Sequence, residues 1–377
     1  MTPISSLSES KVKPLSFSDE KGKDNKPGHK PLVSVVVPAF KEAAILEQNL
    51  TALCHYMETL EDQYQWEIIV VNDGSTDGTG ELAEGFARSQ RHICVLHHPT
   101  NFGLGQALQS GFNYCRGDYI VVVDIDLSYS PDHIQKLLIK IRETRAKVVV
   151  TSPYTKGGKV SNVPWFRRTM SVWANRFLAL AARGDLSTLT GMVRVYDGDF
   201  IRALNLKSMG MEINPEIIYK GTLLRARIEE IPAHLDWKLQ RTEGIRRKSS
   251  MKVLRHIIST LLAGFIFRPF MFFIIPGLAL LLFAAYVNTW MFIHFFRQYH
   301  ALSQYDWFLD RASAAVAVAY SQYPHTFIVG NLALMLAIQL ISLGVLSSQS
   351  KHYFEEIFHL ASSIYRSTRK QERKNHG

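Results

Sequence analysis

Tyr119-Ile-Val-Val-Val-Asp124-Ile-Asp126-Leu-Ser128 is an apolar run that ends in two carboxylates one residue apart. Its length and β-branched content predict a strand covered on both faces, in the middle of a parallel sheet, reaching from Tyr119 to Asp126. The aspartates then stand at the strand's C-terminal edge, where open α/β sheets bind ligands. Two hard oxygen donors at that spacing suit Mg²⁺ or Mn²⁺ held against a diphosphate.

Outward from this stretch the chain alternates. Val33-Ser-Val-Val-Val-Pro38-Ala39-Phe40 reads as a buried strand broken by Pro38, followed by an amphipathic helix from about Glu42 to Met57. Trp66 to Asn72 is a second strand, turned by Asp73-Gly74-Ser75, with Thr76 or Asp77 placed to cap the next helix. Ile93-Cys-Val-Leu is a third, and Asn101-Phe-Gly103-Leu-Gly105 leads into a helix through Tyr114. This β-α-β-α order predicts a doubly wound sheet with its polar loops gathered at one edge. Neither Gly-x-Gly-x-x-Gly nor Gly-x-x-x-x-Gly-Lys-Ser/Thr occurs, so dinucleotide cofactors and P-loop nucleotides lose their best support.

The bulk numbers divide the chain. Of 377 residues, 47% are hydrophobic, and the long apolar stretches fall in the C-terminal third. The formal charge is +10, but the basic residues gather at Arg241–Arg255 and Arg366–Lys374, beside those stretches. That placement fits anionic lipid better than a groove for nucleic acid, and no zinc-finger or RNA-binding signature accompanies it. Cys54, Cys94 and Cys115 have neither metal-ligand spacing nor an even count, which points to a reducing compartment. The histidines, among them His97, His98 and His133, also lack ligand spacing. The expected divisions are a disordered tail at 1–31, a catalytic α/β domain at 32–240, a basic loop and interfacial amphipathic helix at 241–268, two spans within 269–347, and a basic segment at 348–377. Pro269 to about Phe296 and Thr326 to Leu346 are each long enough to cross a bilayer, with Pro276-Gly277 placed to kink the first. Only Arg297 and Arg311 lie between the spans, so the positive-inside bias puts both termini in the cytoplasm.

Four motifs together resemble the nucleotide-sugar half of family 2 glycosyltransferases of the GT-A fold: Pro38-Ala39 with Glu42, Asn72 to Asp77, Asn101-x-Gly103-x-Gly105, and Asp124-Ile-Asp126. The resemblance runs from about Val33 to Trp237. Thr151 to Tyr154, Gly157-Gly158, Arg167-x-x-x-Ser171-x-x-x-Asn175, Gly191 to Tyr196 and Ile228 to Pro232 resemble the polyprenyl-phosphate branch. It implies that Pro38, Ala39, Glu42, Asp73, Gly103 and Asp124 hold the nucleotide-sugar. It further implies Asp124, Asp126 and Ser128 as metal ligands, and Arg167 and Arg194 at the phosphates. Ser128 stands where the family often has glutamine, and Pro153 where it often has arginine, so that one phosphate contact is either missing or supplied by Arg168 or Arg194.

A phosphate monoester is mostly dianionic at neutral pH, so as acceptor it needs no general base. Carboxylates for a cation and arginines for phosphate then suffice, and Glu212 and Glu216 are expected to orient Arg194 or Lys220 or to begin a helix, with a general-base role as the alternative for a hydroxyl acceptor. The partners implied are a UDP- or GDP-linked sugar, a polyprenyl phosphate and the bilayer, with room for a homo-oligomer. A lipid hydroxyl or a glycan is the alternative acceptor, and a non-catalytic scaffold is the alternative from another class.

Overall fold

The computed structural model describes residues 30–163, 165, 169, 186–189, 191–236, 269–304 and 306–375. The expected tail, Arg167, Ser171 and Asn175, the basic loop from Arg241 and the amphipathic helix of 253–266 lie outside these residues. The chain separates into two compact units, the described residues up to 236 in the first and those from 269 in the second.

The first unit runs β1 (Leu32–Ala39), α1 (Leu46–Glu58), β2 (Gln65–Asn72), α2 (Thr79–Ser89), β3 (Ile93–His97), α3 (Leu104–Tyr114), β4 (Tyr119–Val122), α4 (Asp132–Thr144), β5 (Val148–Ser152), β6 (Lys159–Ser161), β7 (Arg194–Asp197), α5 (Gly198–Ala203), α6 (Ile213–Leu223), β8 (Ile228–Pro232) and β9 (His234–Asp236). Seven strands make one sheet in the order β3-β2-β1-β4-β7-β5-β8, and β6 pairs with β9. Every pairing in the large sheet is parallel except those of β7, which lies antiparallel between β4 and β5. Val33, Val35, Val36 and Val37 are fully buried because β1 is central and covered on both faces.

β4 is shorter than the Tyr119–Asp126 strand expected from the apolar run. Val123 still donates to Val36 O, after which the Leu127 amide bonds back to Asp124 O and Leu127 takes a left-handed φ of 45°. A strand buried on both faces has no place for carboxylates, so the ladder stops and a turn carries them. Pro38 does not break β1. The strand continues to Ala39 opposite Asn72, beyond the point where β4 has left it at Val36↔Val122. Helix α1 begins at Leu46 rather than Glu42, because 42–45 form a turn in which Ile45 and Leu46 donate to Glu42 O.

The second unit holds α7 (Pro269–Ala301), α8 (Phe308–Gln322) and α9 (Pro324–Asn375). α7 runs through Pro276, and α9 continues past the expected span end at Leu346 to Asn375. No Gly or Pro occurs from Val345 to Asn375, and Lys351–Glu355 and His352–Glu356 pair one turn apart, so nothing ends the helix. The two long helices pack antiparallel at small residues: an added Cβ would meet Ile341 at Gly277, Asn288 at Gly330 and Ile274 at Gly344. Both are long and apolar enough to cross a membrane, and most of their apolar surface is not covered by protein.

Candidate active site

The parallel strands bring Ala39, Asn72, His97 and the end of β4 to one edge of the sheet. Antiparallel β7 adds the start of its own strand there, Arg194 opposite Val122. Strand order reverses between β1 and β4, since β1 leads outward to β2 and β3 on one side and to β4 on the other. Asp124 and Asp126 therefore sit at the mouth of the crevice where such sheets bind ligands.

Both aspartates are half-buried. Burial pushes Asp124 up to about 8, and the carboxylates of Asp126 and Glu42 push it in the same direction. Three acids crowded at one point are stabilised by a cation, and hard carboxylate oxygens match Mg²⁺ or Mn²⁺. Among the described residues no group of three or more His, Cys, Asp or Glu side chains is arranged to hold a metal ion.

The loop bearing the pair is fixed from three sides. The Ser128 amide donates to Asp126 Oδ1 at 2.9 Å. Ser128 itself is buried, and its carbonyl accepts the Asp236 amide, which ties the loop to β9. Asn49 Nδ2, buried in α1, donates at 2.8 Å to Ile125 O, the carbonyl between the two aspartates. Asn49 was not singled out by its sequence, though it is a polar residue in the buried stripe Leu46, Asn49, Leu50, Leu53, Cys54, Met57, and that is a readable signal.

The neighbouring loops are interlocked. Lys41, Glu42 and Ala43 donate their amides to Ser75 Oγ, Thr79 Oγ1 and Asp77 Oδ2. Asp77 also accepts from the Thr79 amide and hydroxyl, which joins the first loop to the second, although the N-cap of α2 is Gly78 rather than the expected Thr76 or Asp77. The conspicuous Asn72–Asp77 motif thus binds its own neighbours.

Asp73, expected at the nucleotide, is 4% exposed and already well used. It accepts from His98 Nδ1 at 2.7 Å and from the amides of Phe102 and Gly103 at 3.0 and 2.8 Å. Gly103, expected beside it, has φ 96°, and a side chain there would come within 2.7 Å of Met209 O. The amides of Gly105 and Gln106, which open α3, donate to that same carbonyl. This helix start is satisfied by protein rather than offered to a phosphate. Behind it, Glu216 accepts from the Lys207 and Ser208 amides and from Lys220 Nζ, so it orients Lys220 and the 207–210 turn.

Arg194 is placed differently from the expected phosphate contact. It is 0% exposed, and its guanidinium donates to the carbonyls of Gly191, Asn214 and Leu189. It opens a strand whose Val195 and Tyr196 are also fully buried, so its side chain turns into the core and finds backbone acceptors there. Glu230, two residues before the end of β8, accepts from the Ser187 amide and hydroxyl and the Thr188 amide. Glu230 holds Ser187 and Thr188, and Arg194 holds Leu189 and Gly191, at the site edge.

The Glycosyl transferase family 2 profile matches residues 34–203, from β1 through α5. The undecaprenyl-phosphate mannosyltransferase of Micrococcus luteus is 31% identical over 207 residues, which are 53% of this chain and 82% of that protein. The chain belongs to glycosyl transferase family 2. The dolichol-phosphate mannosyltransferase of Pyrococcus furiosus is 29% identical over 227 residues, 60% of this chain and 62% of that protein. The mannosyltransferase PcManGT of Pyrobaculum calidifontis, solved with GDP-Man and Mn²⁺, matches with a TM-score of 0.42 and 13% identity over 90% of this chain and 87% of its own. As a family 2 member the chain has a GT-A-type sheet, and its family-like motifs follow the strands that end at the same sheet edge as Asp124 and Asp126.

Proposed function

We propose that this protein transfers a single sugar from a UDP- or GDP-linked donor to a polyprenyl phosphate, with inversion, at the cytoplasmic face of a membrane in which α7 and α9 are anchored. The observation that carries the reading is the carboxylate pair at the β1/β4 crevice, crowded by Glu42 and held by Asn49 and Ser128. The names of the Micrococcus and Pyrococcus relatives support the acceptor class, and the exposed apolar faces of α7 and α9 support anchoring. The basic residues from Lys351 onward, against only Arg297 near the end of α7 and Arg311 in α8 at the turn, favour cytoplasmic termini.

In this reading Asp124 and Asp126 would hold Mg²⁺ or Mn²⁺, which would supply the positive charge that balances a nucleoside diphosphate. Pro38, Ala39 and Glu42 form the wall of the crevice against the donor. Asp73 and Gly103 shape it through the loop they brace, and Ser128 keeps Asp126 oriented. Arg194 acts behind the site by holding the carbonyls of Leu189, Gly191 and Asn214. Arg167 is assigned to the acceptor phosphate. The dianionic acceptor attacks without losing a proton, so the protein's work is placing two anions together and excluding water.

The test is binding of nucleoside diphosphates to the full-length protein, with and without Mn²⁺, by calorimetry. Mn²⁺ should strengthen binding at least tenfold in the native protein and not in Asp126→Ala, whose melting temperature should stay close to native. Equal enhancement in both proteins would remove the metal assignment.

A further inference from the structure

The turn of the helical hairpin carries a feature that anchoring by α7 and α9 does not use. α8 fastens to the end of α7 at both of its own ends. Arg311 Nε donates to Tyr299 O at 2.8 Å, with its guanidinium 4.5 Å over the Tyr299 ring, and Gln298 donates to Gln322 at 2.9 Å. Arg311 and Gln322 are separated by roughly 16 Å along α8 at ~1.5 Å per residue, whereas their partners Tyr299 and Gln298 are adjacent on α7, about 1.5 Å of rise apart. A helix running alongside α7 would spread those partners over a similar length, so α8 crosses the end of α7 steeply.

Its surface divides by the helical period. Arg311, Ala315 and Ala319 pack inward, both alanines fully buried. Leu309, Val316 and Tyr320 share another face and are 56%, 44% and 46% exposed, and Trp307 and Phe308 at the entry are 64% and 65% exposed. Asp310 and Ser321 stand at the two ends of a third strip whose middle is Ala314 and Ala317. Tyr320 and Trp307 are the aromatic types that collect where hydrocarbon meets headgroups. At about 50 Å, α7 is longer than the roughly 30 Å hydrocarbon core, so its end has length to reach that zone.

We propose that α8 is an interfacial foot: it lies in the headgroup region at the turn end of the hairpin, with its Leu309–Val316–Tyr320 face and the Trp307–Phe308 corner against lipid. The inference rests on α7 and α9 being membrane spans. Its role is to set how deeply the hairpin sits, because a transverse apolar helix resists being drawn into the core or out into water.

The experiment uses the full-length chain with Cys94→Ser. Cys54 and Cys115 are buried, with thiols pushed up by burial to about 11 and 12, and so react slowly with labels. Nitroxide is attached in turn at Leu309→Cys, Val316→Cys, Ser321→Cys and Leu282→Cys on α7, in vesicles of phosphatidylcholine and phosphatidylglycerol. Relaxation by oxygen is compared with relaxation by a water-soluble nickel chelate. The oxygen-to-nickel ratio should be several-fold higher at 309 and 316 than at 321, and highest at 282. Ratios at 309 and 316 equal to that at 321 would overturn the foot, as would immobilised spectra closed to both reagents, the signature of a second copy covering the face. A water-like ratio at 282 would instead defeat the spanning reading itself.

Discussion

Asp73→Ala removes the acceptor of three hydrogen bonds at a position 4% exposed, and leaves the Phe102 and Gly103 amides and His98 facing a void. An unsatisfied buried polar group costs about 1–3 kcal/mol, so three of them, partly relieved by relaxation and water, amount to roughly 4 kcal/mol. At about 2–4 °C per kcal/mol for a unit of this size, the melting temperature should fall by about 8–16 °C. Asp73→Asn keeps one acceptor but turns an NH₂ group toward a donor, and should lose roughly half as much. A carboxylate has about four acceptor directions and three are used here, so a nucleotide contact would have only one left. The assay is thermal unfolding of the full-length protein in detergent beside nucleotide titration of the folded variants. If Asp73→Ala melts within 2 °C of the native protein while its nucleotide affinity falls tenfold or more, the bracing role is wrong and Asp73 faces the ligand.

Other expectations follow from the same contacts. Gly105→Ala places a methyl group against the Ser208 carbonyl and the Met209 backbone, which cannot swing aside, and should cost about 2–4 kcal/mol; Gly85→Ala, in open space on α2, should gain up to ~1 kcal/mol, and equal melting temperatures for the two would contradict the packing. Burial alone would raise Glu216, but Lys220 and the Ser208 amide hold it below its ordinary 4.5, so its contribution is present above that value and is lost as pH falls through the lower folded value. Melting temperature should therefore drop below about pH 4.5, and the drop should be shallower in Glu216→Gln. Asn49→Leu keeps the volume but frees the Ile125 carbonyl, and should weaken Mn²⁺-dependent nucleotide binding about tenfold, or ~1.4 kcal/mol, with little change in metal-free binding. Identical Mn²⁺ enhancement in the variant would separate Asn49 from the aspartate loop.

The β-α alternation and the edge that gathers the loops were legible because they follow from hydrophobic period and from strands buried on both faces, as in Val33–Val37 and Ile68–Val71. The antiparallel insertion of β7 was not legible, since a four-residue strand carries no sign of its direction. Site residues were legible by type and position but not by role. A charged residue near a motif reads as a ligand contact, and only packing shows that Arg194 and Asp73 are consumed by backbone groups. Gly103, which the resemblance places at the nucleotide-sugar, likewise lies against Met209 O, and the amides that open α3 donate to that carbonyl. The exact end of β4 escaped because apolar content continues through Val123 and Ile125 while the ladder does not.

The central claim is transfer to a lipid phosphate at the Asp124–Asp126 crevice. The direct measurement is mass spectrometry of lipids after the full-length protein, in nanodiscs with Mn²⁺, is given a panel of UDP- and GDP-sugars together with equal amounts of polyprenyl phosphate and diacylglycerol. The account predicts a polyprenyl monophosphate carrying one sugar, absent with Asp126→Ala. A product on diacylglycerol alone, or an undiminished yield from Asp126→Ala, would contradict it.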